Sequence, residues 1–144
     1  MELPISGNPE QILNDSPKAR SVAIIGLDYH GMKPTMAVKE GDRVKLGQLL
    51  FTDKTTEGVL YTAPASGTVA NINRGARRVL QSVVIDVKGD DAVEFKCYKP
   101  EEIPGLNAAS IIETLAESGQ WSAFRTRPYS KVPATNTTAS AIFV

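Results

Sequence analysis

The chain has 144 residues, with 16 Lys and Arg balanced by 16 Asp and Glu, one histidine and one cysteine. This balance leaves no basic surplus to hold a polyanion, which argues against nucleic acid as the main partner, and the lone thiol of Cys97 excludes an internal disulfide. The length suits one ordinary domain or a small domain with part of another, and no apolar run approaches the roughly 20 residues that cross a bilayer.

The opening "MELPISGNPEQ" lacks the basic leader and apolar stretch of a cleaved signal peptide. Residues 1–20 are rich in Pro, Gly and Asn and read as an arm laid over a domain, with one helical turn at 9–13. "SVAIIGL", residues 21–27, is a β-branched run ended by glycine and predicts a buried strand. "DYHGMKPTM" then reads as a turn, in which Gly31 permits unusual dihedrals and Pro34 keeps its predecessor extended.

Residues 36–90 alternate short strands with glycine turns and carry no helical period. In "VKEGDRVKLGQLLF" the pair Gly41-Asp42 makes a tight turn, Val44 points inward and Gly47 allows a second bend. "TAPASGTV" places Pro64 and Gly67 around another corner. This spacing is the signature of a biotinyl/lipoyl-like barrel-sandwich, whose strands reverse every few residues. The best-defined strand is "RVLQSVVIDV", with Val79, Val83, Ile85 and Val87 on one face and Gln81 the exception.

"EEIPGLNAASIIETLAESGQW" predicts the one convincing helix. Asn107 is its N-cap, Ala108, Ile111, Ile112 and Leu115 form its apolar face against the β unit, and Gly119 is its stop. "WSAFRTRPYSKVP" sets aromatics between cations. "SAIFV" opens as an apolar strand, and because such a strand needs neighbours for its backbone, the polypeptide is expected to continue past Val144.

A barrel of this kind raises the question of a lysine-borne cofactor, and "TDKT" puts Lys54 near the place where a carrier would display one. Neither flanking methionine of a biotin site is present, the spacing from Lys54 to Gly67 is long, and the second glycine-turn half is replaced by "NRGARRVLQSVV". A solvated loop lysine is the reading favoured by these residues, with a carrier modified on Lys54 as the alternative. His30 is read as a turn residue, since no second imidazole or nearby thiol exists to share a metal or a nucleophile. Arg74, Arg77 and Arg78 read as a solvated hairpin tip, with an anion clamp the sharper alternative. "RTRPYSK" offers Arg125, Arg127, Tyr129 and Lys131 for contact with phosphate, an acidic partner surface or lipid head groups, and docking against a larger polypeptide is favoured among these.

Taken in order, "LPISGNPEQ", "GMKPTMAVKEGDRVKLGQLLF", "YTAPASGTVANINRG", "RRVLQSVVI", "GDDAVEF" and "RTRPYSKVPA…AIFV" closely resemble the N-terminal part of the A-subunit family of bacterial Na⁺-translocating NADH:quinone oxidoreductases (Na⁺-NQR). The resemblance runs over essentially the whole chain. It implies a mainly β chain with one or two helices: an arm and first strand at 1–35, a barrel-sandwich hybrid at 36–90, and at 91–144 a helix and linker leading into a truncated Rossmann-like region opened by "AIFV". It further implies a peripheral protein on the cytoplasmic side of the bacterial inner membrane, bound to the other subunits of a sodium pump. That complex uses NADH, flavins, iron-sulfur centres and ubiquinone, and this chain holds no redox cofactor or metal of its own and has no catalytic residue. For quinone contact, Tyr29, Trp121, Phe124 and Tyr129 supply aromatic surface, although core packing is the favoured account of them. The chain departs from the family at its start, where Met-Glu stands in place of a short basic stretch.

Overall fold

A computed structural model describes residues 6–13 and 18–143. Strands β1 (Ser21–Ile25), β2 (Pro34–Met36), β3 (Arg43–Val44), β4 (Leu49–Asp53), β5 (Leu60–Thr62), β6 (Gly67–Arg74) and β7 (Leu80–Val87) form two antiparallel sheets, ordered β1-β7-β6-β3 and β2-β4-β5. The barrel-sandwich expected from the glycine spacing is therefore present. Between the sheets, Val44, Leu50, Phe51, Val59, Tyr61, Val69, Leu80, Val83 and Ile85 are fully buried. Each such side chain contributes roughly 1.5–3 kcal/mol of transfer free energy, which is what holds two small sheets face to face.

Strict alternation does not describe these strands, because three bulges change which face a residue joins. Leu49 pairs with Thr62 while Phe51 pairs with Tyr61, so Leu50 is an extra residue and both Leu50 and Phe51 point inward. On β6, Ala70 is extra between the Val69–Ile85 and Asn71–Val84 pairs. On β7, Gln81 is extra between Ser82 and Leu80. That last bulge corrects the face read from "RVLQSVVIDV": Val79 is half exposed and Leu80 takes the inward place beside Val83 and Ile85.

β1 is also more exposed than a buried strand. It lies at the edge of its sheet, with Val22 and Ile24 packed on the core and Ile25 41% exposed. Residues 9–13 form no helical turn, and Ile12 and Leu13 are exposed. A single turn fixes several dihedrals for one hydrogen bond, and without an apolar face to bury it does not form.

After the barrel comes α1 (Ala108–Glu117), capped as expected: the Asn107 side-chain oxygen accepts from the Ser110 N–H at 2.8 Å. Gly119, at φ +77°, ends it in the left-handed conformation that a side chain disfavours. Only Ile112 and Leu115 reach the core, so the buried stripe is narrower than the sequence face, and Ile111 and Ala108 stay exposed. The Thr62 hydroxyl donates to the Ser118 carbonyl at 3.2 Å, tying the helix end to β5. Trp121 is buried, with its indole N–H donating to the Pro133 carbonyl at 2.9 Å. The strand expected in "AIFV" is not formed over 141–143, where Ile142 and Phe143 are exposed with no strand beside them among the described residues. Val144 and the "LPI" of the N-terminal motif lie outside the described residues.

Candidate functional site

Where the turn after β1, the β4–β5 hairpin and residues 131–132 converge, the surface folds into a cavity of about 290 Å³. Tyr29, Met32, Tyr61 and Val132 supply its apolar walls, and His30, Lys33, Asp53, Thr55, Thr56 and Lys131 its polar ones. Asp53 fixes the hairpin side. Its carboxylate oxygen accepts from Lys33 N at 2.9 Å, Thr55 N at 2.9 Å and the Thr55 hydroxyl at 2.7 Å. Burial opposes ionisation of this carboxyl, but these bonds, with the nearby Thr56 hydroxyl, outweigh it and hold the group below the ordinary aspartate value. Asp53 Oδ1 therefore serves to order the loop.

Tyr61 is the opposite case. Its ring is stacked on Phe51 with centroids 4.7 Å apart and meets the edge of Tyr29, also at 4.7 Å. The side chain is 2% exposed and its hydroxyl has no hydrogen-bond partner. Burial first, then the Asp53 carboxylate and Tyr29, push the hydroxyl well above the ordinary tyrosine range, with Arg125 opposing. The Tyr61 side chain lines this cavity, while its hydroxyl oxygen is itself closed off from solvent. A second hollow of about 510 Å³ shares the same two tyrosines and is lined as well by Leu46, Pro64, Val93, Phe95 and the end of α1.

These ionisation shifts predict a pH response. The unfolded chain loses the Tyr61 proton near pH 10 while the folded chain keeps it, so stability is present below about pH 10 and falls as pH rises further. Asp53 acts at the other end: its contribution is present above the unfolded value near 4 and is lost as pH falls through its lower folded value. Urea unfolding of the chain and of Tyr61→Phe between pH 8 and 11 checks the alkaline arm. The substitution is expected to flatten the decline, and parallel curves would refute the assignment to Tyr61.

The residues singled out in the sequence are only partly gathered here. Lys131 lines the cavity. Arg125 does not line it, but its guanidinium carbon lies 5.1 Å from the Tyr29 ring centroid while it donates to the Ser122 and Phe124 carbonyls. Arg127 and Tyr129 lie outward on a loop closed by Thr126 N donating to Lys131 O and Ser130 N donating to Thr126 O, both at 2.8 Å. His30 lines the cavity from its turn. Of the aromatic set, Tyr29 forms a wall of both hollows, Trp121 and Phe124 pack edge to face at 5.1 Å, and Tyr129 is 72% exposed. Lys54 is exposed as the first residue after β4, and its backbone N–H donates to Lys33 O at 2.9 Å. The hairpin beyond it is held by Thr135, whose hydroxyl donates to the Glu57 carbonyl at 3.4 Å.

Sequence reasoning missed Tyr61 and the role of Asp53. The Asp-x-Thr-Thr pattern of residues 53–56 was a usable signal, since aspartate and threonine side chains commonly close such turns on their own backbone. Nothing local marks Tyr61 as unpartnered. Among the described residues no group of three or more His, Cys, Asp or Glu is placed to hold a metal, and no helix is long and apolar enough to cross a membrane.

Comparison with known proteins adds an independent line. The family model of the NqrA N-terminal barrel-sandwich hybrid domain matches residues 1–88, and that of the NqrA second alpha/beta domain matches residues 106–144. The chain is 58% identical over 144 residues to the A-subunit of the Na(+)-translocating NADH-quinone reductase of Hahella chejuensis, covering all of this chain and 32% of that protein. The corresponding subunits of Teredinibacter turnerae and Pseudomonas aeruginosa PAO1 are 59% and 56% identical over the same span, again covering all of this chain and 32% of each relative. The chain thus spans about a third of the length of the curated relatives it matches, 32%.

Proposed function

From the premise that the chain belongs to the NqrA family, whose barrel-sandwich domain model matches residues 1–88, we propose that it serves as a scaffold and docking portion of the NqrA protein in a sodium-pumping NADH:ubiquinone reductase, shaping quinone access and holding no redox cofactor of its own. In this reading it sits peripherally on the cytoplasmic side of the bacterial inner membrane. Its partners are the other subunits, and NADH, flavins and iron-sulfur centres are held elsewhere in the complex. Residues 1–35, 36–90 and 91–144 act as arm with first strand, barrel, and helix with linker to the next domain. The loop bearing Arg127 and Tyr129, with Arg125 and Lys131 at its base, is the docking contact.

One observation carries the quinone part: Tyr61, whose buried hydroxyl has no partner, lines a cavity of about 290 Å³. Leaving a buried donor unpaired costs about 1–3 kcal/mol, and a ligand carbonyl that accepts from it recovers that loss. A quinone head supplies such a carbonyl on a flat ring, which suits walls made by Tyr29, Met32 and Val132. Lys54 is exposed in the turn after β4, which fits the solvated lysine favoured by its sequence context.

Photo-crosslinking with a quinone analogue in the assembled complex tests this. Label is expected on residues 29–33 or 131–132, and Tyr61→Phe should weaken analogue binding about 3–10-fold, the worth of one hydrogen bond, while folding stability is unchanged or rises. Label confined to other subunits, with Tyr61→Phe indistinguishable from the parent, refutes quinone access. Intact mass of the chain expressed beside a lipoyl or biotin ligase decides the carrier alternative, since an added prosthetic mass on Lys54 would displace the scaffold reading.

A further inference from the structure

The β6–β7 connection breaks a rule of hairpin chemistry. Val79 N donates to Ala76 O at 3.3 Å, closing a turn whose two central residues are Arg77 at φ 54° and Arg78 at φ 61°. Positive φ at both central positions is the arrangement that Asn-Gly fills with least strain, and each non-glycine residue placed there is held in a disfavoured region. Two adjacent arginines therefore work against the turn that presents them. Their side chains are exposed, and among the described residues neither they nor Arg74 forms an ion pair with a carboxylate. Arg74 donates to the Arg78 carbonyl at 3.1 Å, bracing the tip.

Apolar surface lies at the same end. β1 runs antiparallel to β7 with Ile25 opposite Ser82, so the turn Gly26–Asp28 lies beside Leu80, and Leu27 and Val79 are 71% and 50% exposed there. The acids on these elements are Asp28 in the turn and Asp86, which pairs with Ser21 at the other end of β7, and the Glu40 carboxylate accepts from Ile72 N at 2.7 Å farther along β6. Three guanidinium forks next to two exposed aliphatic side chains match an interface that is anionic at its surface and apolar just beneath.

We propose that the tip formed by Arg74, Arg77, Arg78, Leu27 and Val79 is a contact for an anionic lipid surface. The arginines pair with head-group phosphates and the two aliphatic side chains enter the acyl boundary. Alone the contact is weak and salt-sensitive, and it gains weight when the chain is already tethered to a membrane assembly. The proposal does not depend on quinone access or on subunit docking.

The test is co-sedimentation of the chain with phosphatidylglycerol vesicles and with phosphatidylcholine vesicles at low salt, beside thermal unfolding. The variant Arg77→Asn/Arg78→Gly removes two cations and gives the turn the residues it prefers. It is expected to partition about 30-fold more weakly onto phosphatidylglycerol, about 2 kcal/mol at 1 kcal/mol per cation, while melting at the parent's temperature or higher. Leu27→Ser should weaken partitioning with little change in melting. Absence of parent binding to phosphatidylglycerol, equal binding of parent and variant, or binding to a polyglutamate peptide but not to vesicles each overturns the lipid assignment, the last in favour of an acidic protein.

Discussion

Phe51→Ala is expected to lower the unfolding free energy by about 3–5 kcal/mol, a large share of the roughly 5–15 kcal/mol that a domain possesses. Phe51 has no solvent exposure and lies over the ring of its cross-strand partner Tyr61, with an interplanar angle of 15°. Removing the ring opens a void that β4 and β5 close poorly, because both backbones are pinned by their ladders and Leu50 is already turned inward beside it. Phe51→Leu retains most of the volume and should lose less than about half as much. Urea unfolding with a fixed slope measures both, and equal losses for the two substitutions would show that ring stacking and volume are not what matters there. The loss also bears on the cavity, since Phe51 is what holds the Tyr61 ring in place.

Gly67→Ala is expected to be nearly as damaging, at about 3 kcal/mol or more, the upper end for an overpacked site. A Cβ at Gly67 would stand 2.0 Å from the Asp86 carbonyl oxygen and 2.9 Å from its carbon, so backbone must move. Little room exists for that movement. Gly67 pairs with Val44 on one side and Val87 on the other, and just before it Lys88 N donates to Ser66 O at 3.0 Å while the Ser66 hydroxyl donates to Lys88 O at 3.1 Å. Gly105→Ala is the control, because nothing lies within 4 Å of a Cβ there. It should be neutral or slightly stabilising, by about 0.4–1 kcal/mol, through the unfolded chain. Comparable losses at both glycines would mean that the close approach to Asp86 is not the cause.

Gly67 also shows why the fold was readable from sequence while its details were not. Glycines, prolines and the Asn107 cap act through local backbone chemistry, so their spacing announced a small β sandwich followed by a helix. The sequence placed Gly67 at a corner, but its requirement comes from Asp86, a residue of another strand. Bulges hid themselves for the same reason. Whether Leu50 or Gln81 is the extra residue depends on the partner strand, and each reverses the parity that alternation assumes, which is how Val79 was given the place that Leu80 holds. β1 read as buried because its composition is apolar, yet composition does not say that a strand lies at a sheet edge.

The cavity was less legible still. Tyr29, His30 and Lys131 were visible as isolated polar or aromatic residues, and their convergence on Tyr61 and Asp53 is set by how the turn after β1 meets the β4–β5 hairpin. Asp53 passed for the residue before a lysine. An unpartnered hydroxyl leaves no mark in the sequence, since it is defined by what fails to come near it.

The tie between Trp121 and Pro133 has a practical consequence. Trp121 is the chain's single indole, and its N–H is engaged by a carbonyl that arrives only after the loop of residues 126–131. Its emission wavelength is thus an optical gauge of whether the segment beyond α1 remains clasped, separable from the far-ultraviolet circular dichroism of the strands. Two spectroscopic signals from one molecule can therefore tell release of the trailing segment apart from melting of the sheets.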